Sequence, residues 1–161
     1  MTPTEYNKCV DLYADSIYRF AVKMLKDGDL CHDIVQDTFE KLWMRVGEVA
    51  FDKAKSYLFT TVYHATIDHI RRKQRIGDEL GLEKVGDSVS MVSPDLKEIL
   101  QKGLSLLPED QKSVLLLRDY EGYSYEEIGQ ITGLNESQVK VYIYRARLFL
   151  KNYIGKIENV I

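Results

Sequence analysis

Apolar residues recur every three or four positions along most of the chain, and this periodicity constrains the fold more than any other feature. It predicts three amphipathic helices in the N-terminal half, at 4–26, 30–46 and about 54–74. No stretch alternates apolar and polar residues with a period of two between turn residues, so strands are not expected. The sequence therefore predicts an all-α fold.

The pattern changes at 76–93. Three of the ten glycines fall within this segment, and its apolar residues have no period, which is typical of a flexible linker. Helical signals then resume at Ser93-Pro94-Asp95 and at Leu107-Pro108. We expect two small helical domains: an N-terminal one of three or four helices at 1–75 and a C-terminal one at 94–161, joined by the linker.

Local capping signals give the C-terminal domain more detail. Ser124 and Glu127 form a capping-box pattern before a helix that runs through Ile131, and Asn135 with Gln138 precedes a long last helix at 136–154. Together they have the spacing of a helix-turn-helix motif, the fold expected of this domain.

Length and composition exclude several classes of protein. A chain of 161 residues allows one ordinary domain or two small ones. No window approaches ~18 consecutive apolar residues and the N-terminus lacks a basic start with an apolar run, so we expect no membrane insertion and a cytoplasmic location. Two cysteines cannot form a disulfide framework and are expected to be reduced core residues.

Charge is segregated along the chain, although the net charge is only −3. Residues 27–40 contain five acids and no base, whereas 69–75 contain four bases and 139–156 five bases without an acid. A nucleic-acid-binding protein needs a local basic face rather than a basic total, so this distribution permits one.

The segment 124–147 carries the first functional hypothesis. Gly129 would allow close approach of two helices and Gly133 would supply the turn, while the outer faces of the second helix stay basic and hydrogen-bonding. Seven residues make up this outer surface: Ser137, Gln138, Lys140, Val141, Tyr144, Arg145 and Arg147. We favour DNA binding over the alternative, an ordinary helical hairpin with a solvated basic face.

Two further constellations lie in the N-terminal half. Aromatic residues followed by four bases in 57–75 suit single-stranded nucleic acid, although such helices are usually only packed and solvated. Asp33 and Asp37 lie one helical turn apart and indicate either a solvated acidic face or a docking surface for a basic partner. His64 and Asp68 could share an ion, but no third ligand has suitable spacing, so we expect no metal and no other cofactor.

Three motifs, in order and in spacing, resemble those of bacterial extracytoplasmic-function (ECF) sigma factors. They are DIVQDTFEKLW at 33–43, SYLFTTVYHATIDHIRR at 56–72, and the segment from LPEDQ to YRARLFLK at 107–151, and the resemblance spans about 5–155. The resemblance implies a promoter-recognition subunit without catalysis of its own. Its implied partners are core RNA polymerase, through the clamp and the flap, promoter DNA, and an anti-sigma factor.

The resemblance also implies roles for individual residues. The polymerase-binding motif comprises Asp33, Ile34, Gln36, Asp37, Phe39 and Glu40. The residues facing the −10 element are Lys53, Lys55, Tyr57, Phe59, His64, Asp68, Arg71 and Arg72. The residues facing the −35 element are the seven named above together with Lys151.

Two positions depart from the family pattern: His64 stands where asparagine is commonest, and Val141 where a small polar residue is frequent. We expect His64 in a single-strand pocket beside Tyr57 and Lys55, the alternative being that it packs against the preceding helix.

Other classes of function stay open at this point. A conventional helix-turn-helix regulator would bind duplex DNA alone, as a dimer. A small acidic adaptor, or an enzyme of metal-assisted hydrolysis, is the third possibility.

Overall fold

The computed structural model describes residues 1–80 and 95–160, which form helices and turns and contain no strand. Seven α-helices follow in chain order: α1 Pro3–Leu25, α2 Gly28–Met44, α3 Ala54–Leu80, α4 Leu96–Ser105, α5 Glu109–Leu115, α6 Tyr125–Thr132 and α7 Glu136–Val160. A 3-10 turn precedes α3 and a π-helical turn, Leu116–Tyr120, follows α5. The predicted all-α fold is confirmed.

Helices α1, α2 and α3 pack pairwise around one apolar centre. Ile17, Phe20, Leu42 and Leu58 are fully buried there, and both cysteines lie in the same core. Burial raises the pKa of the Cys9 and Cys31 thiols, as expected of inert core residues.

Several helix ends differ from the predicted ones. Helix α2 begins at Gly28 rather than at residue 30, because Asp27 caps it by accepting a hydrogen bond from the Leu30 amide. Helix α3 runs on to Leu80, beyond the predicted end near 74 and into the first residues of the predicted linker. Asp95 caps α4 by accepting from the Glu98 amide. The rest of the linker, with Ser93 and Pro94, lies outside the described residues.

The helix-turn-helix geometry of α6 and α7 is as predicted. Ser124 and Glu127 exchange both capping-box hydrogen bonds, at 3.1 Å each. Gly133 adopts the left-handed conformation, with φ 81°, that ends α6. A Cβ on Gly129 would lie 2.9 Å from the Leu134 carbonyl oxygen, so glycine is required for this close approach.

The two groups of helices also pack against each other. Helices α4 and α5 contact α1, and α6 contacts α3, so that a single apolar core continues from one group to the other. The contact of α1 and α3 with α4, α5 and α6 is called the seam below. Across it, the Phe59 and Tyr123 rings meet edge to face with centroids 5.3 Å apart.

None of the described helices combines the length and apolar character needed to span a membrane.

Candidate nucleic-acid interface

A groove lies between the C-terminal end of α2 and one face of α3. It encloses about 550 Å³ and is lined by Lys41, Met44, Arg45, Tyr57, Thr61, His64, Ala65 and Asp68. Six of these side chains can form hydrogen bonds; Lys41 and Arg45 are positively charged, Asp68 is negatively charged, and Tyr57 and His64 add ring faces. Such a lining suits an unpaired base with its phosphate.

His64 is exposed and shares the groove with Tyr57, as the sequence predicts. Its ring contacts that of Tyr63 edge to face, at 5.3 Å between centroids. Lys55, in contrast, does not line the groove. Its ammonium group lies 4.7 Å from the centroid of the Tyr123 ring, on the face of α3 turned to the seam.

Sequence reasoning missed the contribution of α2 to this groove. Lys41 and Arg45 are both exposed and stand one helical turn apart at i and i+4. Met44 lies beside them with 78% of its surface exposed. The signal was present in the sequence as two bases directly after the acidic stretch, but nothing in the sequence shows that this end of α2 meets α3.

The other predicted −10 residues lie in the groove, in solvent or at the seam. Asp68 is exposed and lines the groove, and Lys53 and Arg72 are exposed elsewhere. Phe59 is fully buried between Phe20 and Tyr123. Arg71 lies near Glu109 of α5, with 3.5 Å between Nε and Oε1.

The acidic motif on α2 presents two kinds of residue. Asp33, Gln36, Asp37 and Glu40 are exposed and form one hydrophilic face. Ile34 and Phe39 are buried, with 8% and 7% of their surfaces exposed, and belong to the core. The Tyr6 hydroxyl donates to the Phe39 carbonyl at 3.0 Å, which fixes this part of α2 against α1.

Helix α7 exposes every residue that the sequence assigned to the −35 face, the eight being Ser137, Gln138, Lys140, Val141, Tyr144, Arg145, Arg147 and Lys151. Three of them have intramolecular partners. The Gln138 side chain accepts from the Asn135 amide, Lys140 pairs with Glu136 at 3.3 Å, and Arg147 Nε donates to Asp119 at 3.1 Å. This last hydrogen bond raises the pKa of Arg147.

Val139, Ile143 and Ala146 are buried on the opposite side of α7 and fix its orientation.

Within 1–80 and 95–160, no three of the histidine, cysteine and acidic side chains come together as metal ligands.

Two family profiles match the chain, one over the helices that carry the acidic face and the groove and the other over the helices that include α7. Sigma-70 region 2 matches residues 9–76, and Sigma-70, region 4, matches residues 97–150. Together they span more than half of the chain. The chain belongs to the sigma-70 family.

Three relatives from one organism are named sigma factors, two of them with the ECF designation. The ECF RNA polymerase sigma factor SigM of Bacillus subtilis is 29% identical over 145 residues, covering 87% of this chain and 89% of SigM. The RNA polymerase sigma factor SigV of the same organism is 29% identical over 153 residues, covering 92% and 90%. The ECF RNA polymerase sigma factor SigW, also from B. subtilis, is 27% identical over 161 residues, covering 90% and 86%.

The fold agrees with a solved structure. The sigma factor RpoE from Bartonella quintana, crystallised in complex with the anti-sigma factor NepR, superposes with a TM-score of 0.76 at 24% identity, covering 93% of this chain and 96% of RpoE. The region 2 match includes α2 and most of α1 and α3, and the region 4 match takes in most of the remaining helices. This sigma-70 family member directs promoter-specific transcription by RNA polymerase, so polymerase and promoter DNA are its partners.

Proposed function

We propose that three separate surfaces of this sigma factor divide the work of promoter recognition. The residues 1–75 carry polymerase binding and the −10 element, and 94–161 carry the −35 element. One observation supports this most strongly: the acidic face of α2, the groove between the C-terminal end of α2 and α3, and the basic face of α7 are all exposed and have no residue in common.

The acidic face of α2 is the proposed polymerase contact. Asp33, Gln36, Asp37 and Glu40 supply it, since they point to solvent together. Ile34 and Phe39 act indirectly by holding α2 in place, because both are buried.

The groove is the proposed site of the unpaired −10 strand. Lys41 and Arg45 in the groove, and the exposed Arg72 further along α3, would attract its phosphates, while Tyr57 and His64 would meet a base by stacking or hydrogen bonding. We assign the groove a binding role and the protein no catalytic activity of its own, because it belongs to the sigma-70 family.

The exposed face of α7 is the proposed reader of duplex −35 DNA. Arg145 and Lys140 can reach base edges in a major groove, and Lys151, further along the helix, is placed for a phosphate. An anti-sigma factor would act on these same exposed faces, and the site of action would be the cytoplasm, where polymerase works.

The test reverses one charge on the acidic face. Asp37→Lys should weaken binding to core RNA polymerase by about 2 kcal/mol, roughly thirtyfold in Kd, because a lysine would face a basic partner surface. Asp11→Lys on α1 is the matched control, since Asp11 is also exposed in mid-helix and the change in net charge is identical. Equal loss of affinity in both variants, or no loss in a folded Asp37→Lys protein, would contradict the assignment.

A further inference from the structure

One exposed face of α7 carries a stripe of apolar side chains. Val141, Tyr144 and Leu148 stand at i, i+3 and i+7 along the helix, and 43% of the surface of Val141 is exposed. Single apolar residues are ordinary on a protein surface, but three on one helix face form a patch that indicates a binding surface. Ser137 and Arg145 lie on the same face, one turn before and one turn after Val141, so the patch belongs to the surface assigned to −35 DNA.

The charges around this stripe favour duplex DNA as its partner. Residues 139–156 contain five bases and no acid, and such a surface attracts a polyanion. Two of the bases are engaged by carboxylates: Lys140 lies 3.3 Å from Glu136, and Arg147 donates to Asp119 at 3.1 Å. The stripe and Arg145 lie between these two pairs along α7, where a base edge can reach them.

The chemistry of valine limits what Val141 can recognise. Its side chain has no hydrogen-bonding atom, so it can distinguish base pairs only by apolar contact. The C5-methyl group of thymine is the apolar group that base pairs present in the major groove. Because valine is branched at Cβ, it keeps essentially one rotamer in a helix, and its two methyl groups are already held in place before DNA binds.

We propose that Val141 reads the methyl group of one thymine in the −35 element. The inference rests on the proposed function, because the contact requires α7 to lie in the major groove of −35 DNA. Leu148 lies two turns further along α7, beyond the N-terminal part of a recognition helix that contacts base edges. Tyr144 has a hydroxyl group that can bond to a phosphate.

Arg145 indicates where that thymine lies. It follows Val141 by one helical turn, so the two side chains are neighbours, with Cβ atoms about 5–6 Å apart. Successive bases of a strand are separated by about 3.4 Å along the duplex. The thymine is therefore expected one or two base pairs away from the pair that Arg145 contacts.

The test removes one methyl group from the DNA and one apolar side chain from the protein. Holoenzyme reconstituted from the full chain and core RNA polymerase first selects −35 sequences from a promoter library with a fixed −10 element. Each thymine of the selected −35 element, on either strand, is then replaced by uracil, which lacks only the C5-methyl group. Competition against a labelled promoter gives the Kd of each duplex for the parent, Val141→Ser and Leu148→Ser.

We expect uracil at one position to weaken binding by the parent about fourfold, the loss that corresponds to one buried methyl group. Val141→Ser should bind the thymine and uracil duplexes equally at that position. Leu148→Ser is the matched control, because it removes an exposed apolar side chain from the same stripe and should keep the fourfold difference.

Three results would overturn the thymine contact. The first is a parent that is insensitive to uracil at every −35 thymine. The second is an equal uracil effect in Val141→Ser, which would assign the methyl contact to another side chain. The third is a uniform loss of affinity in Val141→Ser for all duplexes with the uracil effect retained, as expected if the stripe binds protein.

Arg145→Ala tests the proposed function separately. If it selects the same −35 sequences as the parent, the exposed face of α7 is not the reader of the −35 element. If Arg145→Ala relaxes the −35 preference while Val141→Ser keeps the uracil effect, α7 reads the element and only the role of Val141 is wrong.

Discussion

At the scale of single residues, His64 is the most informative position on the −10 surface. It is exposed, lies in the groove with Tyr57, and departs from the asparagine that the family pattern favours. An imidazole ring offers one donor and one acceptor when neutral, as an amide does, but it also stacks on a base. The residue therefore combines two modes of recognition at one point of the groove.

We expect His64→Asn to change −10 base preference while assembly with core polymerase stays intact. His64→Ala should weaken binding of the unpaired strand by about 1–3 kcal/mol, and the yield of open complex should fall as a result. Selection from a promoter library with core polymerase measures the preference, and permanganate footprinting measures the melting. His69→Asn is the matched control on the same helix, because His69 does not line the groove. An unchanged preference in both His64 variants would show that this side chain does not read DNA.

At the scale of helices, the sequence predicted the elements well where the determinants are local. The caps at Ser124 and Asn135 were foreseen because a cap depends on residues three positions apart. The end of α3 was not, because apolar periodicity stops at Ile70 while the helix continues through exposed residues. The part of a helix that extends beyond the core has no apolar periodicity, so only the helix propensity of its residues indicates where it ends.

The groove and the seam also show that sequence predicts local contacts but not those that depend on how helices pack. Tyr57 and His64 could be placed together because seven positions on one helix bring them to one face. Lys41 and Arg45 could not be added, since their position depends on how α2 packs. The pair Arg19 and Glu121, separated by 102 positions, has no local signature at all.

Gly129 sets the geometry of the helix-turn-helix element, and its substitution gives a sharp prediction. Gly129→Ala should destabilise the protein by about 1–3 kcal/mol, because the added Cβ would lie 2.9 Å from the Leu134 carbonyl oxygen, which is backbone and cannot move freely. Gly155→Ala is the matched control on α7, where nothing lies within 4 Å of the new Cβ, and it should stabilise by about 0.5–1 kcal/mol. Urea unfolding of both variants measures the difference, and a shift of the same sign in both would refute the close-packing argument.

At the scale of the whole molecule, Lys112 connects the two halves, and the free-energy cost of burying its side chain depends on pH. Burial lowers its pKa from an ordinary value of 10.5 to about 8, with a smaller contribution from the positive charge of Lys26. Below about pH 8 the folded protein has to bury a charged ammonium group. Between about pH 8 and pH 10 the unfolded chain binds more protons at this site than the folded one, so this residue's contribution to stability rises with pH.

Lys112→Met should remove that rise and, at pH 7, stabilise the protein by about 1–3 kcal/mol, since methionine fills similar space without a charge. Other buried groups act in the opposite direction: burial raises the pKa of Cys9, Cys31 and the Tyr123 hydroxyl, so each of them lowers stability as its unfolded counterpart ionises. The decisive quantity is therefore the difference in unfolding free energy between variant and parent, measured by urea titration from pH 7 to pH 10. That difference should shrink steadily as pH rises, whereas Lys97→Met, at an exposed lysine of α4, should differ from the parent by a constant amount. A constant difference for Lys112→Met as well would mean that this ammonium group is hydrated in the folded protein, and the seam would then be looser at α5 than its packing against α1 indicates.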